Sequence, residues 1–340
     1  MSSRTLTILA GGYSRRFQKK DGKWLDKALL YINNEPLLIH LLDKGNEIYD
    51  GINISVNSNS RKRNYEEIVK SYLPNVNIDF TVDLRKISLD GVLKGIYSTL
   101  EKRTNSSVQF IPTDRPYLDL RILKDLRVMK RGVSLLRYDN GMIEPLLSLY
   151  GAQASFPENF SQLPLSRADV PIRFSNEIQV YSISEILGRN SLSSKIFAHI
   201  NIQSDIENER IEYSNSTAVN IPDSVLIERE QPNFTFDDIR YNEEDEIVET
   251  LVEIENYYSA FLSSFYFWKQ KKISIGKYKA FGIKSLKKEY EFWIKNEMPF
   301  LALHSLDDLV RYFPGERKPG INAKIKHLRK KMKIEPRRIK

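Results

Sequence analysis

The sequence has no cysteine among its 340 residues, which excludes disulfide bonds, thiolate nucleophiles and cysteine-ligated zinc. Histidine is scarce too, and no two of His40, His199, His304 and His327 have the spacing of a metal site. No apolar run approaches the roughly 18 to 20 residues that span a bilayer, and no apolar N-terminal stretch precedes a small-residue cleavage site. The sequence therefore predicts a cytoplasmic protein with no membrane partner.

Positive charge is concentrated at one end of the chain. The whole sequence has a net charge of +8, yet residues 315–340 alone hold eleven Lys or Arg and two Glu. Residues 237–256 oppose them with nine acidic side chains and one Arg. The basic segment could dock on this acidic segment, remain solvated or bind an acidic protein partner. Nucleic acid is the least favoured partner, because no base-stacking aromatic residues are interleaved with the basic run.

The order of apolar patterns predicts two kinds of architecture. Short apolar runs alternate with helical patterns up to about residue 228, which is typical of a mostly parallel α/β sheet covered by helices. Beyond residue 236, apolar residues recur at three- and four-residue steps, which predicts helices. We expect four segments: an α/β domain over 1–228, a linker over 229–236, a helical accessory domain of unknown role over 237–335, and a basic tail over 336–340.

Four strand-to-loop junctions occur within the α/β pattern before residue 115. The predicted strands lie in the runs TLTILAG, GINISVNS, NIDFTVD and SSVQFIPTD. Ligands of open α/β sheets bind beyond the carboxyl ends of the strands, so these junctions are the expected site. At the first one, Gly11 and Gly12 can expose backbone N–H groups to phosphate oxygens. The pattern is neither a P-loop nor G-x-G-x-x-G, so both of those readings are rejected.

Six motifs and a late seventh occur in a familiar order: LAGGYSRRF, DKALLYINNEPLL, VNSN, DGVLKGI, PTDRPYL, EPLLSLY and AVNIPD. Their order and spacing resemble the molybdenum cofactor guanylyltransferase (MobA-type) family of α/β nucleotidyltransferases, over residues 4–228. The resemblance implies a Rossmann-like domain that uses Mg²⁺ to transfer GMP from GTP to the phosphate of molybdopterin, with release of pyrophosphate.

The resemblance also implies roles for individual residues. The positions that match the family's nucleotide site are Leu9, Ala10, Gly11, Gly12, Ser14, Arg16, Lys27, Asn57, Asp83, Gly91 and Gly95. Within this set, Arg16 and Lys27 match residues that face the triphosphate, and Asn57 and Asp83 match positions that grip the guanine nucleoside. Asp114 matches the aspartate that binds Mg²⁺, and Asn220 is a candidate second metal contact. The resemblance thus implies that Arg16, Lys27 and Asp114 are the catalytic residues.

Elementary chemistry agrees with these roles without requiring them. The acceptor phosphate itself attacks the α-phosphorus, so the reaction needs positioning and charge neutralisation but no protein nucleophile. Mg²⁺ prefers one or two protein oxygens when substrate phosphates complete its shell, so a single strand-end Asp is sufficient. Each residue also has a simpler interpretation: Asp114 and Asp83 could be turn residues, and Lys27 could be a solvated helix residue.

Two departures from the family pattern stand out. Gln18 replaces a glycine, and about six extra residues, within KKDGKW, separate the loop arginine from DK. Residues 18–25 could form a lid whose lysines contact the triphosphate, or a solvated loop. Val92 replaces a proline of the family's GPLAGI element, which leaves open how rigid that loop is and which base it selects.

The sequence also bears on the nucleotide base and on the acceptor of the nucleotidyl group. LAGG favours guanine, because related cytidylyltransferases more often have LAAG, whose extra methyl group would narrow the space for a purine. Two alternatives remain open. One is cytidylyl or other nucleotidyl transfer to molybdopterin or a sugar phosphate. The other is a non-catalytic nucleotide-binding adaptor that recruits a partner through its helical region.

Overall fold

The computed structural model describes residues 3–12, 25–32, 34–103, 105–198, 224–230 and 244–333. The strands are Arg4–Leu9 (β1), Tyr31–Ile32 (β2), Glu35–Pro36 (β3), Gly51–Val56 (β4), Asp79–Val82 (β5), Ser107–Pro112 (β6), Val133–Arg137 (β7), Leu149–Tyr150 (β8), Glu177–Ser182 (β9) and Ser224–Glu228 (β10).

The helices follow the strands and then occupy the C-terminal part of the chain. They are Leu37–Asn46 (α1), Asn59–Tyr72 (α2), Gly91–Lys102 (α3), Arg121–Lys124 (α4), Glu158–Ser161 (α5), Val170–Phe174 (α6), Ile183–Arg189 (α7), Glu244–Glu253 (α8), Tyr257–Lys269 (α9), Ile275–Lys295 (α10), Pro299–Tyr312 (α11) and Pro319–Lys331 (α12). Of the helices that the structure describes, none is long and apolar enough to cross a bilayer.

Eight strands form one sheet in the order β10-β9-β7-β8-β6-β1-β4-β5. The four strands β6, β1, β4 and β5 are parallel neighbours, with Ile8 of β1 opposite Ile54 of β4 and Ile111 of β6. All three of these side chains are fully buried, as expected for a sheet covered by helices on both faces. The α/β class with a mostly parallel sheet is confirmed. Antiparallel pairs involving β8 and β10 extend one side of the sheet.

The parallel connection explains where polar residues gather. Consecutive parallel strands are joined by crossover helices, so the carboxyl ends of β1, β4, β5 and β6 lie at one edge of the sheet. α2 begins directly after β4, where Ser58 accepts a hydrogen bond from the backbone N–H of Arg61 at 3.3 Å. The residues that follow each of these strands therefore meet at a common edge.

The C-terminal helices pack against the α/β part through a buried ionic cluster around Arg173 of α6. Its Nε and Nη2 donate to the carboxylate of Glu289 on α10 at 2.8 and 2.6 Å, and its Nη1 donates to Asp308 on α11 at 2.6 Å. The guanidinium lies 3.6 Å from the ring centroid of Tyr258 on α9. Arg173 is fully buried. One side chain of the α/β part thus contacts three of the helices.

Where the structure describes them, the acidic and basic helices have different ion-pair partners. Acidic α8 forms ion pairs with two lysines. Lys272 follows the end of α9, and Lys277 lies in the first turn of α10. Basic α12 instead packs on α11, where Arg329 pairs with Asp307 at 3.2 Å. Two buried side chains, Leu328 and Met332, fix α12 there through apolar contact. Within the described residues, both an ion pair and apolar packing therefore connect α12 to α11.

Candidate functional site

A cavity of 570 Å³ opens at the carboxyl ends of the parallel strands. It is lined by ten of the residues that the sequence singled out: Leu9, Ala10, Gly11, Gly12, Lys27, Asn57, Asp83, Gly91, Gly95 and Asp114. Ser14, Arg16 and Asn220 lie outside the described residues, as do residues 18–24 of the insertion. The fold therefore brings together every predicted site residue that the structure describes.

The glycine loop continues β1 and lies against the end of β4. The backbone N–H of Ala10 donates to the carbonyl of Ser55 at 2.9 Å, which extends the strand pairing into the loop. A Cβ at Gly11 would lie 3.1 Å from the backbone nitrogen of Asn57. An alanine at position 11 would therefore press on the backbone of Asn57.

Lys27 and Asp114 approach each other from different elements. Lys27 begins a short 3₁₀ turn, Lys27–Leu29, and Asp114 follows the end of β6. The Nζ of Lys27 lies 3.6 Å from Oδ2 of Asp114, and the side chains are 13% and 29% exposed. The pair places one positive and one negative group at the same cavity wall, both still accessible to a ligand.

The segment that follows Asp114 is anchored in the protein interior. Arg115 is buried, and its Nη2 donates to Oε1 of Glu144 at 2.7 Å. The hydroxyl of Tyr138 donates to the same oxygen at 2.7 Å. These contacts tie PTDRPYL to EPLLSLY, two motifs that are distant in sequence, and they hold Asp114 at the cavity wall.

Asp83 follows β5 and lies on the side of the cavity formed by α3. Burial raises the pKa of its carboxyl group to about 6, although Lys94 and Lys102 oppose the shift by favouring the charged form. A Cβ at Gly95 would lie 2.9 Å from the hydroxyl of Ser55 and 3.6 Å from Oδ1 of Asp83. Gly95 therefore lets α3 lie close to the strand ends.

The turn into α3 has a backbone shape that requires glycine. Gly91 has a φ of +59°, in the left-handed region. Two backbone hydrogen bonds hold the preceding loop. The N–H of Ser88 donates to the carbonyl of Ser161 at 2.8 Å, and the N–H of Asp90 donates to the carbonyl of Leu165 at 2.9 Å. The cavity wall at Asp90 and Gly91 thus rests on the segment that leads to Arg173.

The carboxylate ligands at the cavity fit a metal ion that also binds the substrate. In the part of the chain that the structure describes, no three acidic or histidine side chains cluster in a way that could hold a metal. Mg²⁺ bound together with a polyphosphate needs only one or two carboxylates from the protein. Asp114, at the cavity wall and partly exposed, meets that requirement.

Sequence reasoning missed several residues of this site. Arg85 and Lys94 add positive charge to the cavity lining. Asp26 also lines it and pairs with Arg61 and Tyr65 of α2. α2 begins at Asn59. Recognising Ser58 as its N-cap would have placed Arg61 and Tyr65 on one face, four residues apart.

Comparison with known proteins identifies the family. The family described as "MobA-like NTP transferase domain" matches residues 6–168. A molybdenum cofactor guanylyltransferase from Histophilus somni (strain 2336) is 30% identical over 154 residues, which cover 44% of this chain and 70% of the relative. A probable molybdenum cofactor guanylyltransferase from Methanosarcina mazei is 26% identical over 211 residues, covering 61% and 90%.

Similarity to solved structures is weaker. The inositol-1-phosphate CTP transferase from T. maritima is 15% identical with a TM-score of 0.37, covering 54% of this chain and 86% of that chain. The sequence relatives and the matched domain are sufficient for the assignment. The chain belongs to the molybdenum cofactor guanylyltransferase (MobA-type) family and is a nucleotidyltransferase.

Proposed function

We propose that the chain transfers GMP from GTP to the phosphate of molybdopterin, with Mg²⁺, and releases pyrophosphate. The observation that carries this proposal is the cavity in which the glycine loop, Lys27 and Asp114 meet. Its volume of 570 Å³ lies within the range of about 300–1,000 Å³ that is usual for small-molecule sites. The relatives named molybdenum cofactor guanylyltransferases support the choice of nucleotide and acceptor.

The reaction balances without a covalent enzyme intermediate. An oxygen of the acceptor phosphate bonds to the α-phosphorus of GTP, while the bond from that phosphorus to pyrophosphate breaks. Backbone N–H groups of residues 9–12 would hold phosphate oxygens, and Lys27 would neutralise charge on the departing pyrophosphate. Asn57 and Asp83 would hold the nucleoside, which leaves the α-phosphorus open to the acceptor.

Asp114 would hold the metal, and Asn220 would be its second protein contact. Bound Mg²⁺ would offset the negative charge of the triphosphate. The Lys27 ammonium group is 3.6 Å from Asp114, so it would contact the triphosphate beside the metal. Ser14 and Arg16 would complete the phosphate contacts. We place this chemistry in residues 1–228 and an accessory role in 237–335.

The test measures pyrophosphate release with molybdopterin and each of GTP, CTP, ATP and UTP. We expect release with GTP, and we expect Asp114→Ala to abolish it while the protein remains folded. Asp125→Ala is the control, because Asp125 is an exposed residue at the end of α4. Normal activity of the Asp114→Ala variant would refute the metal assignment.

The same assay, repeated with a sugar phosphate as acceptor and joined by calorimetric titration of each nucleotide, separates the alternatives. Release with CTP but not GTP would indicate a cytidylyltransferase, and release only with a sugar phosphate would change the acceptor. Tight nucleotide binding without turnover of any triphosphate would favour a nucleotide-binding adaptor instead.

A further inference from the structure

The two sides of the phosphate site are joined through helix α2. Arg61 of α2 donates from Nη1 to the carbonyls of Ala10 at 3.2 Å and Gly12 at 3.0 Å. Its Nε lies 3.5 Å from Oδ2 of Asp26, the residue before Lys27. The Arg61 and Asp26 side chains are only 8% and 7% exposed. A single buried guanidinium therefore contacts both the glycine loop and the turn that carries Lys27.

Tyr65, one helical turn after Arg61, strengthens the same contact. It is fully buried, and its hydroxyl donates to Oδ2 of Asp26 at 2.7 Å. Burial, and then the Asp26 charge, raise the pKa of Tyr65, so the hydroxyl keeps its proton. The other carboxylate oxygen of Asp26 accepts from the backbone N–H of Ala28 at 3.1 Å. Both oxygens of Asp26 are thus engaged by protein groups, although the residue lines the cavity.

We propose that Arg61, Asp26 and Tyr65 are positioning residues that set the distance between the glycine loop and Lys27. This inference rests on the proposed function, because it assigns a task to the phosphate site of that reaction. Residues 13–25 separate the loop from Asp26 in sequence. The contacts through α2 connect the loop to Asp26 directly, across elements that are distant in sequence. We call the three side chains the α2 clasp.

Peptide geometry explains how the clasp would act on the loop. A trans peptide carries its C=O and N–H on opposite sides. Holding the Ala10 carbonyl against Arg61 therefore directs the N–H of Gly11 away from the guanidinium. The positive charge of Arg61 is balanced by Asp26, so Arg61 orients the loop, while Lys27 lines the cavity itself.

The test uses inorganic tripolyphosphate, which contains the phosphate part of the ligand without a base. Calorimetric titration would compare wild type with Arg61→Met, Asp26→Asn, Tyr65→Phe and Lys27→Met. We expect the Arg61 and Asp26 variants to weaken tripolyphosphate binding about tenfold, as Lys27→Met does, because each loses a charge-assisted contact. Tyr65→Phe should weaken it by less. Arg63→Met, on the exposed face of α2, is the matched control and should bind normally.

Two further measurements separate positioning from general damage. GMP affinity should change less than tripolyphosphate affinity, whereas partial unfolding would weaken both together. Arg61→Lys keeps the charge but not the planar fork that reaches two carbonyls and a carboxylate, so it should not restore binding. Rescue by Arg61→Lys, or wild-type binding by Arg61→Met and Tyr65→Phe, would overturn the clasp. If tripolyphosphate binds as expected but no GMP is transferred, only the proposed function fails.

Discussion

Asp83 is a cavity carboxylate whose ionisation depends on its surroundings. Burial raises its pKa from 3.8 to about 6, so the folded protein holds this proton more tightly than the unfolded chain does. Asp83 therefore contributes stability below about pH 4, and that contribution is lost as the pH rises through 6. A half-buried carboxylate that costs stability when ionised is a candidate for a binding role.

We predict that GTP affinity increases between pH 5 and pH 7, because ionised Asp83 is the better hydrogen-bond acceptor for the nucleoside. Calorimetric titration at several pH values would measure this. Asp83→Asn should bind GTP more weakly at pH 7 and lose the step near pH 6. The same variant should be at least as stable as wild type at pH 8, since no buried charge remains. An unchanged pH dependence would remove Asp83 from the nucleoside site.

In the proposed reaction, Lys27 would neutralise charge on the departing pyrophosphate. We predict that Lys27→Met lowers kcat by about 100-fold or more, the scale seen when one stabilising group is removed from a reacting centre. Steady-state kinetics with GTP and molybdopterin would measure it. Lys70→Met, on the exposed side of α2, should leave kcat unchanged. A large rise in KM with normal kcat would mean that Lys27 binds the ground state and transition state equally.

At the scale of elements, the start of α3 depends on one glycine. Gly91 lies at φ +59° and forms part of the cavity wall. We predict that Gly91→Ala lowers the free energy of unfolding by about 1–2 kcal/mol, because an L-residue is strained in the left-handed region. Urea denaturation would measure the loss. Gly320→Ala is the control, since a Cβ there meets nothing within 4 Å, and it should be neutral or stabilising.

The sequence pattern predicts the strands that carry the site, but it does not predict the contacts between side chains. The runs TLTILAG, GINISVNS, NIDFTVD and SSVQFIPTD overlap β1, β4, β5 and β6, because each is a short segment rich in apolar and β-branched residues. The α2 clasp was missed for a physical reason. Its members come from two segments whose hydrogen bonds form only after folding, and charged side chains in a sequence do not specify their partners. The functional roles of the site residues stay predictions until they are measured.

At the scale of the molecule, the C-terminal helices share buried charges with the α/β part. Arg167 and Arg173 both contact Asp308 of α11, at 2.8 and 2.6 Å. Asp169 lies between them and pairs with His304 at 2.9 Å. Burial alone would raise the pKa of Asp169, but Arg167, His304 and Arg173 together hold it below its usual value. The segment that carries these residues also supports the cavity wall at Asp90.

We predict that Glu289→Ala lowers the free energy of unfolding by about 3–5 kcal/mol, because it leaves the buried Arg173 without its bidentate partner. Denaturant titration followed by fluorescence would measure the change. Glu291→Ala, on the exposed side of the same helix, is the control and should cost less than about 1 kcal/mol. A small effect of Glu289→Ala would show that the helices are held mainly by apolar packing.

The sequence by itself determined the α/β class, the four strand ends and the family, because period-2 and period-3.6 patterns and local motifs are properties of neighbouring residues. Only the tertiary structure decided that Asp26 pairs with Arg61 and Tyr65, that α12 lies on α11, and that Arg173 meets Glu289 and Asp308. Such pairings depend on which charged or apolar surfaces are buried together. The packing of the whole chain decides which residues are buried. Because desolvation makes an unpaired buried charge costly, each buried charge pairs with a group that the fold places beside it.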